Sequence, residues 1–294
     1  MKQMLFIVNP FSGVWKNKRI EPMLEQHLDS SQFRYEVIYT EFAGHGTEIA
    51  AGAVARGVDI VVAVGGDGTI NEIAKSLIHT EATLGILPAG SGNGFAMHLG
   101  YGRKIERAVS LLNTSKELTI DTGICNGDPF INLAGVGFDG LIAYRTKHNS
   151  KRGFQNYLKM TLAEARTYQF PKYQIELDGQ LLEQSSLVIE IANARMFGYN
   201  FEIAPKASLT DGVFDIIVIK KAPKWKYVAH APKFLNKSLL KSSLVDFYRA
   251  KEIKITAQGE LFYHIDGEGM TAGQSVAISM IPHSLKILVP EEYG

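Results

Sequence analysis

Residues 65–69 read Gly65-Gly66-Asp67-Gly68-Thr69, three glycines and a carboxylate within five positions. Without a Cβ at three of them, this backbone can turn sharply and approach a ligand closely. The loop follows an apolar run at residues 59–64 and leads into a segment with Ile70, Ile73, Ala74 and Leu77 at helical spacing. A glycine-rich turn between strand and helix points backbone N–H groups and a positive dipole end at its occupant, and phosphate is the usual one. An ordinary tight turn is the plain alternative for this loop taken alone.

Three more stretches of this kind end apolar runs in the first half of the chain. Asn9-Pro10-Phe11-Ser12-Gly13 follows residues 4–8, Thr40 closes residues 33–40, and Pro88-Ala89-Gly90-Ser91-Gly92-Asn93-Gly94 follows residues 84–87. Helical patterns at residues 19–28, 48–55, 95–98 and 105–112 alternate with these runs. The alternation predicts a doubly wound α/β domain with a parallel sheet, whose ligands bind beyond the carboxyl ends of the strands. Small and hydroxyl-bearing residues on four loops of one rim suit a polyphosphate. The sequence has no Gly-x-x-x-x-Gly-Lys-Ser/Thr, and residues 90–94 do not form Gly-x-Gly-x-x-Gly. A P-loop and a dinucleotide fingerprint are therefore both disfavoured.

The second half carries a different set of chemical groups. His264-Ile265-Asp266-Gly267-Glu268 places two carboxylates around a glycine at a strand end. Such a pair can face a cleft and accept a proton from a hydroxyl, or it can be an Asp-Gly hairpin turn. Ser208-Leu209-Thr210-Asp211-Gly212-Val213-Phe214-Asp215 reads as a turn opening a strand. His264 and Cys125 read as structural. His45, in Gly44-His45-Gly46-Thr47, reads as a loop residue near the phosphate rim. Lys16 and Arg19 read as solvated, with a phosphate clamp as the alternative.

These groups need a scaffold, and 294 residues suggest two domains. The pattern changes near residue 123: residues 1–123 form the α/β domain and residues 124–284 a β-rich one. Helical patterns at residues 138–145 and 157–168 precede short strand-like runs at 173–177, 186–192, 213–219, 253–257, 261–264, 275–280 and 285–289. Residues 130–137 read as one further strand. Such runs with few helices predict an antiparallel β-sandwich-like domain. A net charge of +1 gives no global field for nucleic acid. One cysteine excludes a disulfide framework and a cysteine zinc cluster and fits a reducing compartment. No apolar run approaches the roughly 18–20 residues of a membrane span, and the N-terminal apolar run is too short for a secretory signal, so a cytoplasmic protein is expected. Residues 220–241 hold seven lysines and no acidic residue, interleaved with Trp225, Tyr227, Val228, Phe234, Leu235, Leu239 and Leu240. This is either an amphipathic helix with solvated lysines or an interfacial segment that docks on anionic lipid.

The motifs Asn9-Pro10-x-Ser12-Gly13, Gly65-Gly66-Asp67-Gly68-Thr69-x-Asn71-Glu72, Pro88-x-Gly90-Ser91-x-Asn93, Asp211-Gly212-x-x-Asp215 and Asp266-Gly267-Glu268 occur here in a characteristic order and spacing. The first three resemble those of the diacylglycerol kinase catalytic-domain family, and the resemblance continues through the last two. Over essentially its whole length the chain resembles the bacterial soluble lipid kinases of the YegS/diacylglycerol kinase type, relatives of sphingosine and ceramide kinases. The resemblance implies ATP-dependent, Mg2+-dependent phosphorylation of a lipid hydroxyl in an interdomain cleft. It implies nucleotide contacts at Asn9, Pro10, Phe11, Ser12, Gly13, Thr40, Gly65, Gly66, Asp67, Gly68, Thr69, Ile70, Asn71 and Ser91. By the same resemblance Asp67 helps place the catalytic magnesium, and Glu268 is the proton acceptor with Asp266 its partner or rival. A structural magnesium would sit on the Asp211 carboxylate and the carbonyls of Ser208 and Val213, and residues 285–294 would rejoin the first domain. One departure stands out: bacterial diacylglycerol kinases carry Gly-Thr-x-Asn-Asp-Phe-Ala where this chain has Gly90-Ser91-Gly92-Asn93-Gly94-Phe95-Ala96. Gly-Ser-Gly-Asn is closer to the sphingosine and ceramide kinases. Other readings are an NAD kinase-like or phosphofructokinase-like enzyme, whose families also use Gly-Gly-Asp-Gly, and a non-catalytic nucleotide- or lipid-binding regulator.

Overall fold

The structure is a computed structural model that describes residues 1–13, 18–147, 154–198, 201–235 and 238–293. It divides into two compact units. One comprises Met1–Thr122, Met196–Asn200 and Pro282–Gly294, the other Gly123–Arg195 and Phe201–Ile281.

In the first unit the chain runs β1 (Lys2–Val8), α1 (Glu21–His27), β2 (Phe33–Tyr39), α2 (His45–Ala55), β3 (Ile60–Gly65), α3 (Asp67–Ala74), β4 (Thr83–Pro88), α4 (Gly94–His98), α5 (Ile105–Leu112) and β5 (Lys116–Cys125). The continuous apolar runs of β1 and β3 are buried on both faces, as a parallel sheet between helices requires. β1 pairs in parallel with β2 on one side and with β3 on the other, and β4 continues beyond β3. The chain therefore reverses its direction of sheet growth at β1 and β3. That is a topological switch point, where the carboxyl ends of two strands splay and open a crevice.

The second unit is built from β6 (Asp128–Phe130), β7 (Leu133–Gly137), α6 (Phe138–Lys147), α7 (Phe154–Thr167), β8 (Lys172–Leu177) and β9 (Gln180–Ala192). The short β10 (Met196–Gly198) falls in the first unit. Then come β11 (Phe201–Glu202), β12 (Phe214–Lys220), α8 (Lys224–Leu235), β13 (Val245–Ala250), β14 (Glu252–Ala257), β15 (Leu261–Ile265), β16 (Glu268–Ala272) and β17 (Ser275–Val289). β9 joins two antiparallel layers: its first half pairs with β8, its second with β7 and β12. β8 alternates exposed and buried residues, and Ile175, Ile253 and Val276 of one layer meet Ile189, Ile216 and Ile265 of the other in one core. This is sandwich packing, each strand turning alternate side chains inward.

Several local expectations need correction. Residues 130–137 form two short strands rather than one, because residues 131–133 bend to present their amides to Asp266, as described below. His45 is the first residue of α2 rather than a loop residue. β17 runs unbroken where two strands were expected, and the returning segment of the first unit begins at Pro282. Met196–Asn200, assigned from sequence to the second domain, belongs with the first, where β10 packs on α4.

Candidate active site

Three glycine-bearing loops meet at the switch point of the first unit. Asn9 donates its backbone N–H to the Val64 carbonyl and its Nδ2 to Thr69 Oγ1, both at 3.0 Å. Its Oδ1 accepts the Phe11 N–H at 3.0 Å and its carbonyl the Ser12 N–H at 3.2 Å, which curls residues 9–13 into a tight turn. Gly13 is left-handed, φ +44°, and a side chain there would begin 2.7 Å from the Ala89 oxygen. A Cβ at Gly90 would stand 2.4 Å from the Gly66 Cα. Glycine at these positions is what lets three backbones touch. Asn93 clamps the third loop: its Oδ1 accepts the Gly90 N–H at 2.9 Å and its Nδ2 donates to the Gly90 carbonyl at 2.8 Å.

Asp67 begins α3, and no side chain caps that helix at Gly66. The amides of its first turn therefore face the crevice with the positive end of the helix dipole, a ready anion site. The Asp67 carboxylate accepts the Gly94 and Phe95 N–H groups at 3.0 and 3.1 Å, tying α3 to the start of α4. Burial pushes its pKa up, and these amides partly offset the shift. Gly94 thus contributes its backbone to the same carboxylate. Ser12, Thr69 and Asn71 are buried around the crevice, while Phe11 and Ser91 are exposed. Thr40 is buried beside the first loop, its N–H on the Val8 carbonyl at 2.8 Å.

Ile70 does not reach the rim. Its side chain is in the core and its N–H is spent on the Gly66 carbonyl at 3.0 Å, so it has no donor left for a nucleotide. His45 stacks on Phe42 with ring centroids 4.6 Å apart, and its Nδ1 accepts the Glu41 N–H at 3.1 Å. Arg19 pairs with Glu21 at 3.0 Å, and Lys16 lies outside the described residues.

In the second unit the Asp-Gly-Glu stretch is a two-residue hairpin turn between β15 and β16. Asp266 and Gly267 both have positive φ, +48° and +85°, as the tight turn matching strand twist demands. The two carboxylates then diverge in role. Asp266 accepts the N–H groups of Leu133, Asn132 and Ile131 at 2.8, 3.0 and 3.1 Å, anchoring the turn to the start of β7. Glu268 is exposed and meets Lys147 Nζ at 2.6 Å. The Asp266 carboxylate is thus occupied by backbone amides, whereas Glu268 is accessible.

The other turn gathers Ser208, Asp211 and Val213. Asp211 Oδ1 accepts the Val213 N–H at 3.4 Å, its Oδ2 lies 3.5 Å from Arg249 Nη1, and Ser208 Oγ accepts the Thr210 N–H at 3.4 Å. The carbonyls of Ser208 and Val213 have no hydrogen-bond partner among the described residues. One carboxylate and two carbonyls on an Asp-Gly turn fit a hard cation that keeps part of its water. Asp215 is fully buried against Arg249 Nε at 2.9 Å and belongs to the turn's scaffold. Cys125 is buried and its thiol is pushed up to about 12, in line with a structural role.

Sequence reasoning missed Asn93 as a clamp, Lys147 opposite Glu268, and Arg249 behind Asp211 and Asp215. It also missed Asp139 and Glu190, which meet His264 in the interior. Glu190 had a readable signal, a single carboxylate inside the apolar run Leu187-Val188-Ile189-Glu190-Ile191-Ala192, since a charge in a buried strand needs a partner. Asn93 clasps Gly90 only three residues away, but the partners of Lys147, Arg249 and Asp139 are far away in the chain.

Comparison with known proteins gives consistent matches. Residues 3–125 match the model of the diacylglycerol kinase catalytic domain, and residues 132–289 that of the YegS C-terminal NAD kinase beta sandwich-like domain. The chain is 29% identical over 299 residues to a diacylglycerol kinase of Bacillus subtilis (strain 168), covering 99% of this chain and 98% of that protein. It is 28% identical to a diacylglycerol kinase of Staphylococcus haemolyticus, covering 89% and 81%. In fold it is similar to a diacylglycerol kinase from Bacillus anthracis str. Sterne, with a TM-score of 0.78, 22% identity, and 100% and 98% of the two chains covered. A weaker likeness links it to an NAD kinase from Archaeoglobus fulgidus, solved in complex with ATP, at a TM-score of 0.52, 14% identity, and 99% and 95% coverage.

Proposed function

Because the chain belongs to the diacylglycerol kinase family, we propose that it is an ATP- and magnesium-dependent kinase whose acceptor is a lipid hydroxyl. The observation that carries this reading is the meeting of three glycine loops at the uncapped start of α3. There the amides following Gly66 bind the nucleotide phosphates, with Ser12, Gly13, Thr69 and the Asn93-clamped loop as walls. Asp67 helps hold the magnesium ion, directly or through water; the ion, when bound, neutralises phosphate charge. The acceptor oxygen forms a bond to the γ-phosphorus as the bond from that phosphorus to the bridging oxygen breaks and ADP leaves. Glu268 takes the hydroxyl proton, and Asp266 holds its turn. Ser208, Asp211 and Val213 would carry a second, structural magnesium. Most of the rate enhancement comes from positioning and charge neutralisation.

Among the described residues no helix is long and apolar enough to cross a membrane, and a lipid acceptor would be met at the bilayer surface. We assign that contact to α8, where Trp225 and Val228 are 66% and 75% exposed beside Lys221, Lys224 and Lys226, and propose that it meets the inner face of the membrane. The test is a panel of diacylglycerol, monoacylglycerol, phosphatidylglycerol, ceramide and sphingoid bases with γ-labelled ATP. Label in extracted lipid supports the reading. A second reading, phosphorylation of NAD, draws support from the sandwich model's NAD kinase-like description and the archaeal fold likeness. Label in NAD and never in lipid would select it. ATP binding with no transfer to any acceptor would point to a regulator instead.

A further inference from the structure

Asp139, Glu190 and His264 lie outside the proposed reaction, yet all three are buried, at 9%, 1% and 1% exposure. They come from three elements of the second unit: Asp139 from α6, Glu190 from β9 and His264 from β15. His264 Nε2 stands 3.1 Å from Asp139 Oδ2 and 3.2 Å from Glu190 Oε1. A Cβ at Gly135 on β7 would lie 2.4, 2.5 and 2.9 Å from His264 Nε2, Asp139 Oδ2 and Glu190 Oε1 respectively. The three donor atoms thus press together against a backbone position that only glycine can occupy, and all lie within 4.8 Å of one another. Asp139 Oδ1 accepts the Gly140 N–H at 2.8 Å, which turns its Oδ2 into the cluster. Such an outer bond orients a metal-ligating carboxylate. Glu190 Oε2 is also buried and has no donor among the described residues.

The charge balance is as telling as the geometry. Two buried carboxylates with one imidazolium leave a negative charge uncancelled, which is costly away from water. A dication cancels both carboxylates and lets the imidazole bind as a neutral ligand. Ligands at about 2.0 Å from a tetrahedral ion are about 3.3 Å apart, close to the separations here. An imidazole nitrogen among carboxylate oxygens suits zinc or another first-row transition metal, while magnesium prefers oxygen and water.

We propose that Asp139, Glu190 and His264 form a buried site for a transition-metal dication, zinc foremost, separate from any magnesium used in phosphoryl transfer. Asp139 Oδ2, Glu190 Oε1 and His264 Nε2 give one donor each. The ion would pin α6, β9 and β15 together and so brace the hairpin that bears Asp266 and Glu268. This site does not depend on the lipid-kinase reading.

The alternative is a metal-free cluster that shares protons. In that state burial and the Asp139 charge push Glu190 well up. Burial pulls His264 down, but its two carboxylates outweigh that and raise it. Wild-type protein purified without chelator is assayed for bound metals by mass spectrometry, then stripped and titrated with Zn2+ in excess Mg2+, following heat release and thermal midpoint. Roughly one zinc per chain and a raised midpoint are expected. Glu190→Gln and His264→Gln should each lose the zinc, while Asp211→Asn keeps it. Wild-type protein that binds no zinc above background and melts unchanged overturns the proposal, and the proton-sharing cluster stands. Zinc kept by both Glu190→Gln and His264→Gln, or lost by Asp211→Asn alone, overturns it too. The wild-type titration decides the matter even if His264→Gln fails to fold.

Discussion

Replacing Asp266 and Glu268 in turn should separate a carboxylate that holds the fold from one that does chemistry. Asp266 accepts three backbone N–H groups at 2.8, 3.0 and 3.1 Å. A hydrogen bond to a charged acceptor contributes roughly 1.5–3 kcal/mol, so three taken separately would sum to roughly 5–9 kcal/mol. They share one half-buried carboxylate, and water can reach part of the site once it is gone. About 3–5 kcal/mol is the reasonable loss for Asp266→Ala. Alanine at φ +48° adds about 1 kcal/mol, because its Cβ crowds the following carbonyl in the left-handed region. Against a typical domain stability of roughly 5–15 kcal/mol, the variant should unfold at much lower urea. Glu268→Gln removes only an exposed ion pair and should cost under about 1 kcal/mol. If Glu268 takes the hydroxyl proton, however, turnover should fall roughly 10²–10⁴-fold. Urea unfolding followed by circular dichroism, beside initial rates at saturating ATP and lipid, reads both effects. Asp266→Ala as stable as the parent would refute the anchoring argument. Glu268→Gln with normal turnover, beside a folded but inactive Asp266→Asn, would reverse the assignment.

Further substitutions test the rest of the site. Gly90→Ala drives a methyl into the Gly66 backbone and should abolish ATP binding, whereas a Cβ at Gly68 meets nothing within 4 Å and the fold should tolerate Gly68→Ala. Equal ATP affinity in Gly90→Ala and the parent, by calorimetry, would contradict the close approach of the loops. Asp67→Asn keeps an acceptor for the start of α4 but loses the charge, so turnover should vanish while the melting curve shifts little; normal lipid phosphorylation would remove Asp67 from the reaction. Cys125, with its pKa pushed up to about 12, is protonated and buried at pH 8. It should react with a thiol reagent only after unfolding, and rapid labelling of native protein would show that the core opens there. Lys221→Gln with Lys226→Gln should weaken binding to anionic vesicles roughly 30-fold, at about 1 kcal/mol per lysine, and leave neutral vesicles unaffected. Undiminished anionic-vesicle binding would exclude α8 as the docking element.

The α/β order and its loops were legible because they rest on local properties. The apolar runs that became β1, β3 and β4 each ended at glycines that the packed loops require, Gly13, Gly66 and Gly90. The change to short strands likewise announced an antiparallel sandwich. Boundaries were less legible: residues 130–137 looked like one strand until the distant Asp266 claimed the amides in their middle. Ile70 shared the glycine motif with residues that line the crevice, but helical phase turned it into the core.

By itself, then, the sequence determined where the chain could bend, which segments had to be buried, and which loops shared a rim, since glycine placement and apolar periodicity act over a few residues. Only the tertiary structure decided what each carboxylate meets. Asp266 reaches amides up to 135 residues away, Glu190 meets His264 across 74, and Glu268 meets Lys147 across 121. Such meetings follow from strand register and helix packing, where a shift of one residue turns every side chain to the opposite face.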